Sequence, residues 1–149
     1  MNINDIETEA PEHGDMLENI FARQQELEDQ YESIEAANGF PRPTSRDIDD
    51  PRLQWYLKDA AYRAIEELSE ATNCLKNKPW KVTPVLTDRQ HYLEELADFL
   101  HFTVRYFIYS GLTAEDVYKL YFKKSEVNKF RQKDEAACAA PSVKVCKLL

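Results

Sequence analysis

An all-α fold, a bundle of four to five antiparallel helices, is predicted for this chain by three observations. Its 149 residues hold only 3 glycines, too few for a sheet with many tight turns. Apolar residues recur at intervals of three and four in four separate stretches. Helix start and stop signals bracket those stretches. The length fits one domain, able to bury about two-thirds of its unfolded surface.

The first helix carries Leu17, Ile20, Phe21, Gln24, Leu27, Tyr31 and Ile34 and stops at Asn38-Gly39, ahead of Pro41 and Pro43. Asp50-Pro51 reads as an N-cap followed by proline in the first turn, opening the second helix. Its stripe is Leu53, Leu57, Ala60, Ala61, Ala64, Leu68, Ala71 and Leu75, with small residues permitting close packing. A loop broken by Pro79 and Pro84 follows, basic in an otherwise acidic chain. Helix three is expected from Asp88 to Ser110, with Leu93, Leu96, Ala97, Leu100, Val104, Phe107 and Ile108 inward and Gly111 as its stop. Thr113-Ala-Glu-Asp116 resembles a capping box opening helix four, which carries Val117, Leu120, Tyr121 and Val127. Residues 1–15 read as a flexible acidic leader, 16–132 as the folded domain, and 133–149 as a tail without durable periodicity.

A net charge of -8 argues against general nucleic-acid binding, which needs a surplus of cations on one face. The chain has no long apolar run and no basic-then-apolar leader, so a cytoplasmic protein without membrane attachment is expected. The three cysteines, Cys74, Cys138 and Cys146, form neither a disulfide framework nor a thiolate zinc motif. The ending Cys146-Lys-Leu-Leu149 matches a prenylation pattern loosely, and a chance match is the reading adopted.

The chemistry lies in two acidic pairs. Glu67 and Glu70 stand at i, i+3 on helix two, with Glu66 flanking; Glu95 and Asp98 repeat the device on helix three, with Glu94 flanking. Each pair lies beside the apolar stripe of its own helix, so packing the stripes brings four carboxylates together. Their repulsion calls for a cation. Oxygen-only ligation favours magnesium, with manganese as a substitute, over zinc, and magnesium sites of this kind are completed by water and substrate phosphates. The competing explanation is two solvated acidic faces, which the repetition on consecutive helices makes the weaker one.

Lys124, Asn128 and Arg131 follow at i, i+4 and i+7 on helix four. This row suits a polyphosphate, although a basic last turn complementing the helix dipole has the same composition. Trp80 in the basic loop reads equally as a stacking surface or as a cap on the bundle. His91 and His101 have no ligand-spaced partners and are assigned packing or surface roles.

The succession ExxE, ExxD and K-x3-N-x2-RQ resembles the all-α NTP pyrophosphatase superfamily, over about Leu53 to Gln132, with its dimeric and phage dUTPase branch closest and MazG-like enzymes as the neighbouring branch. The resemblance implies Mg2+-dependent hydrolysis of a deoxynucleoside triphosphate between the α and β phosphates, dUTP foremost, releasing the monophosphate and pyrophosphate. It implies metal ligation by Glu67, Glu70, Glu95 and Asp98, with Glu67 as general base and Glu66 as its rival. It further implies substrate contacts from Lys124, Asn128, Arg131, Trp80 and Lys81, base reading by Gln24 or Gln25, and a homodimer or a dimer of dimers. RQ is followed here by KDEAAC rather than the glycine and tyrosine common in that branch, and the insertion of the longer dUTPases is missing. The alternatives are a MazG-like pyrophosphatase for another base and a non-catalytic helical interaction protein.

Overall fold

The computed structural model describes residues 14–139, with side chains up to 133; residues 1–13 of the leader and 140–149 of the tail, with Cys146, lie outside the described residues. These are all-helical: α1 (Met16–Ala37), α2 (Pro51–Cys74), α3 (Arg89–Tyr109) and α4 (Ala114–Ala139). The chain divides into two compact units between Thr113 and Ala114. None of the helices described is long and apolar enough to cross a membrane.

The helix ends follow from local chemistry. Asp15, Asp50 and Asp88 each accept backbone N–H groups of the first turn, satisfying donors with no partner inside the helix. Pro51 costs nothing at the first position, where no N–H is needed. α1 and α3 each end just ahead of a glycine, Gly39 and Gly111, at φ of 84° and 77°, a region that penalises any residue with a Cβ.

In the first unit α2 and α3 run antiparallel. Tyr56 packs on Tyr109 at one end, ring centroids 4.5 Å apart, and Glu67 meets Glu95 and Asp98 toward the other. Ala60, Ala64 and Ala71 are buried along the seam, and Leu53, Tyr56, Leu57 and Tyr109 form the core cluster. The expected stripe is covered only in part. Leu68 on α2, Leu75 at its C-cap, and Leu93 and Leu100 on α3 are exposed, as are Ile20, Tyr31 and Ile34 on α1. Apolar periodicity identifies a face that can be buried, but among the described residues of this unit no further element lies over these stretches.

Beside α3, α1 is held by charge as much as by apolar packing. Glu28 is 1% exposed; Arg105 Nε and Arg42 Nη2 lie 3.4 and 3.7 Å from its Oε2. Glu35 accepts hydrogen bonds from Arg42 Nε at 3.0 Å and from Arg105, and Arg105 also donates to the Tyr56 hydroxyl. Burial alone would raise the Glu35 pKa, but the two guanidiniums outweigh it and hold the carboxyl below its ordinary value. The same ion pairs and the Tyr56 contact raise Arg105 despite its own desolvation, so it remains a cation at any working pH.

In the second unit α4 extends to Ala139, through residues expected as tail. Leu120, Tyr121, Val127 and Phe130 are exposed on it, and Tyr118 packs on Phe122 one turn on.

Arg105→Met is expected to destabilise the first unit by about 3–5 kcal/mol, because it strips a buried carboxylate of a cation. Urea unfolding followed by circular dichroism measures this; a loss under 1 kcal/mol would mean that Arg42 alone compensates Glu28.

Candidate metal centre

Three of the four carboxylates expected to converge do so. Glu67 from α2 with Glu95 and Asp98 from α3 each offer an oxygen within 4.8 Å of the other two. The cause is register: antiparallel packing over the alanine seam sets the i, i+3 pair of α3 opposite Glu67. Glu95 is buried, Glu67 half-buried and Asp98 exposed, so the cluster opens to solvent on the Asp98 side. Glu70 is exposed one turn beyond Glu67, which feels its charge, but its oxygens are not among the converging set.

The cluster carries the repulsion expected of gathered like charges. Partial burial, a hydrogen bond with the Glu95 carboxylate and the charges of Asp98, Glu70 and Glu95 all raise the Glu67 pKa. The raised Glu67 pKa is the electrostatic mark of that crowding, and a cation at the same place would relieve it. The donor set fits a hard divalent ion: oxygen only, drawn from two rigid helices and open on one side.

His91 is engaged rather than a bystander. Its Nδ1 lies 3.0 Å from Glu95 Oε1, one turn back on α3, an arrangement that orients a ligating carboxylate from behind. Glu66 accepts from Arg63 at 2.9 Å and turns away from the cluster, while Gln90 donates to Glu94. Gln24 is buried at 4% exposure: its Nε2 donates to Glu28 at 2.6 Å and its Oε1 lies 2.7 Å from His101 Nδ1. Because that oxygen can only accept, His101 carries its proton on Nδ1. Gln25 is instead exposed and bonded to Asp29.

Trp80 is 76% exposed in the loop after α2, with Lys78 Nζ 5.7 Å from its ring and Lys81 exposed beside it. In the second unit Lys124, Asn128 and Arg131 all face solvent.

Sequence reasoning missed His91 and the buried charges. For His91 the signal was its spacing of four from Glu95. For Arg105 it was a lone cation in the apolar run Phe102 to Tyr109, and for Glu28 its position one turn beyond Gln24 on the inner face of α1. Comparison of the chain with protein-family models, curated proteins and solved structures gives no match.

With chelator present, the raised Glu67 pKa has a signed consequence. Stability contributed by its proton is full at pH below the ordinary carboxylate value and is lost as pH rises through the raised one. Melting temperature in EDTA is therefore expected to fall across that window, and less so in Glu67→Gln. Equal pH slopes in the two proteins would overturn the raised Glu67 pKa.

Proposed function

We propose that the chain is a magnesium-dependent nucleoside triphosphate diphosphohydrolase of the all-α NTP pyrophosphatase type, acting on a deoxynucleotide, with dUTP the first substrate to test. The observation that carries this reading is the convergence of Glu67, Glu95 and Asp98 from two antiparallel helices, with a raised pKa on Glu67. That is the arrangement a divalent ion would relieve. The motif order ExxE, ExxD, K-x3-N-x2-RQ supports the same assignment.

Glu67, Glu95 and Asp98 would hold the ion, with Glu70 completing the set by a change of rotamer. When bound, magnesium neutralises phosphate oxygens and acidifies a nearby water. Glu67, the carboxylate that α2 brings to the cluster, is assigned as the proton acceptor; Glu66, tied to Arg63, is the poorer candidate. Water attacks at the α,β-phosphoanhydride, the bridging P–O bond breaks, the water proton passes to Glu67, and monophosphate and pyrophosphate leave. Buried Glu95, braced by His91, gives the site its fixed point. Trp80 with Lys81 is assigned to the substrate side of the loop, and the motif resemblance alone makes Lys124, Asn128 and Arg131 of α4 phosphate-binding groups. Gln24 is held by His101 and Glu28, so a role in reading the base would have to work through that pair.

Pyrophosphate release from a panel of deoxynucleotides and ribonucleotides, with magnesium and with EDTA, tests the reaction. Release from one or two deoxynucleotides that stops in EDTA is the expected result. Asp98→Asn, on an exposed rim, should cut kcat at least a hundredfold with unchanged helicity; full turnover in this variant would sink the metal assignment.

The assembly we infer is a homodimer, with a dimer of dimers as the larger form. Tyr62, Ile65 and Leu68 are 68%, 58% and 43% exposed on neighbouring turns of α2, an apolar patch of the sort that marks association. Ile65→Glu should convert a dimer to monomer in size exclusion with light scattering. A wild-type monomer at micromolar concentration would refute this assembly.

A further inference from the structure

One cavity of the first unit is not used by the metal chemistry. It has a volume of about 500 Å³ and lies between the first half of α2, the last half of α3 and the end of α1, with Asn38, Trp55, Asp59, Arg63, Phe102 and Arg105 among its lining residues. Helix geometry relates it to the carboxylate cluster. Arg63 and Asp59 stand one and two turns before Glu67 on the same side of α2, and Phe102 and Arg105 stand one and two turns after Asp98 on the same side of α3. At 1.5 Å rise per residue, the cavity therefore begins about 6 Å from the cluster at Arg63 and Phe102, reaches Asp59 at about 12 Å and ends at Trp55 at about 18 Å along α2.

Its chemistry differs from that of the cluster. Two cations, Arg63 and Arg105, balance two anions, Glu35 and Asp59, so the cavity is neutral and offers no site for further phosphate. Glu35, Arg105 and Tyr56 are already bonded to one another. Asp59 has only a 3.9 Å contact with Arg63, leaving its oxygens free to accept. Trp55 and Phe40 stack nearly parallel, centroids 5.7 Å apart and 9° between planes, while each remains half exposed. A neutral space with aromatic walls and a few polar groups is what a flat, uncharged heterocycle requires.

We propose that this cavity receives the sugar and base of the nucleoside polyphosphate, with Trp55 and Phe102 as its aromatic walls and Asp59 reading the base edge. The proposal rests on the catalytic reading above, which supplies the phosphate end at Glu67, Glu95 and Asp98. One groove then sorts its substrate by charge, the polyphosphate toward the carboxylate end with its cation and the neutral nucleoside toward the Trp55 end. Asp59, an acceptor only, pairs with an exocyclic amino group rather than a carbonyl. The cytosine amino group presents two N–H donors to Asp59 where uracil presents only N3–H, so exchanging Asp59 is expected to change the preference between the two bases.

The test uses the full chain and its two tryptophans, whose indole N–H resonances are assigned with Trp55→Phe and Trp80→Phe. Deoxycytidine and deoxyuridine, without phosphate or metal, should shift the Trp55 resonance, and pyrophosphate should not. In turnover assays Trp55→Ala should raise KM about tenfold, the size of one lost stacking contact, with the magnesium dependence unchanged. Asp59→Asn should shift the kcat/KM ratio toward the uracil nucleotide. Hydrolysis with a silent Trp55 resonance and an unchanged base ratio overturns the pocket while the catalytic reading stands. A Trp55 shift with nucleosides but no hydrolysis of any nucleotide keeps the pocket and removes the catalysis. Silence in both overturns the two together.

Discussion

The close approach of α2 and α3 is the constraint from which the rest of the first unit follows. Ala60, Ala64 and Ala71 are buried along α2, and only side chains this small let a second helix lie near enough for short acidic groups on the two to meet. Carboxylate side chains reach only a few ångströms from the backbone. With leucine at the three alanine positions the helices would stand further apart, and Glu67 would lose the Glu95 hydrogen bond that raises its pKa. The seam therefore sets the electrostatics of the cluster as well as its geometry.

Bringing those carboxylates together has a cost, and at the other end of the same helix pair charges are gathered in compensated pairs instead. Arg105 and Arg42 meet Glu28 and Glu35, and Tyr56 ties Arg105 to α2. A buried ion-pair network of this kind adds little net stability over an apolar replacement, but it is demanding about position. It fixes the rotation of α1 against α3, because Glu28 and Glu35 must both reach guanidiniums. That rotation places Gln24 against His101 and the end of α1 over the groove.

Much of this was legible in the sequence because it is decided locally. Asp50-Pro51, Asp88 and the glycines at 39 and 111 set helix ends through hydrogen bonds and backbone angles that depend only on near neighbours, and the helices begin and end within a residue or two of those signals. The acidic pairs were legible because spacing of three and position beside a stripe are also local. What could not be read depends on pairing across the chain. Glu28 and Arg105 look like surface charges until they are seen to be each other's partners, 77 residues apart in the sequence. Leu68, Leu93 and Leu100 carry the right period for burial, but period does not say whether another surface covers them. The last turns of α4 were missed for a different reason: Lys133 to Ala139 lacks an apolar period yet is rich in alanine and other good helix formers, and propensity continues what packing does not require.

The groove between α2 and α3 joins these features into a single gradient. At one end three carboxylates crowd within 4.8 Å and raise the Glu67 pKa; one to two turns away Arg63 and Arg105 cancel Asp59 and Glu35. A purely structural packing of two helices has no need of such asymmetry, since a salt bridge at each level would serve better and would leave no carboxyl with a raised pKa. A ligand with one highly charged end, carried there with its own cation, and one neutral flat end makes sense of both levels at once. A cation there would relieve the repulsion that the alanine seam imposes, and a neutral end would add no charge to a network already balanced. The buried Arg105 is central to this division, because it closes the network against Glu28 and Glu35 and so keeps the lower groove neutral.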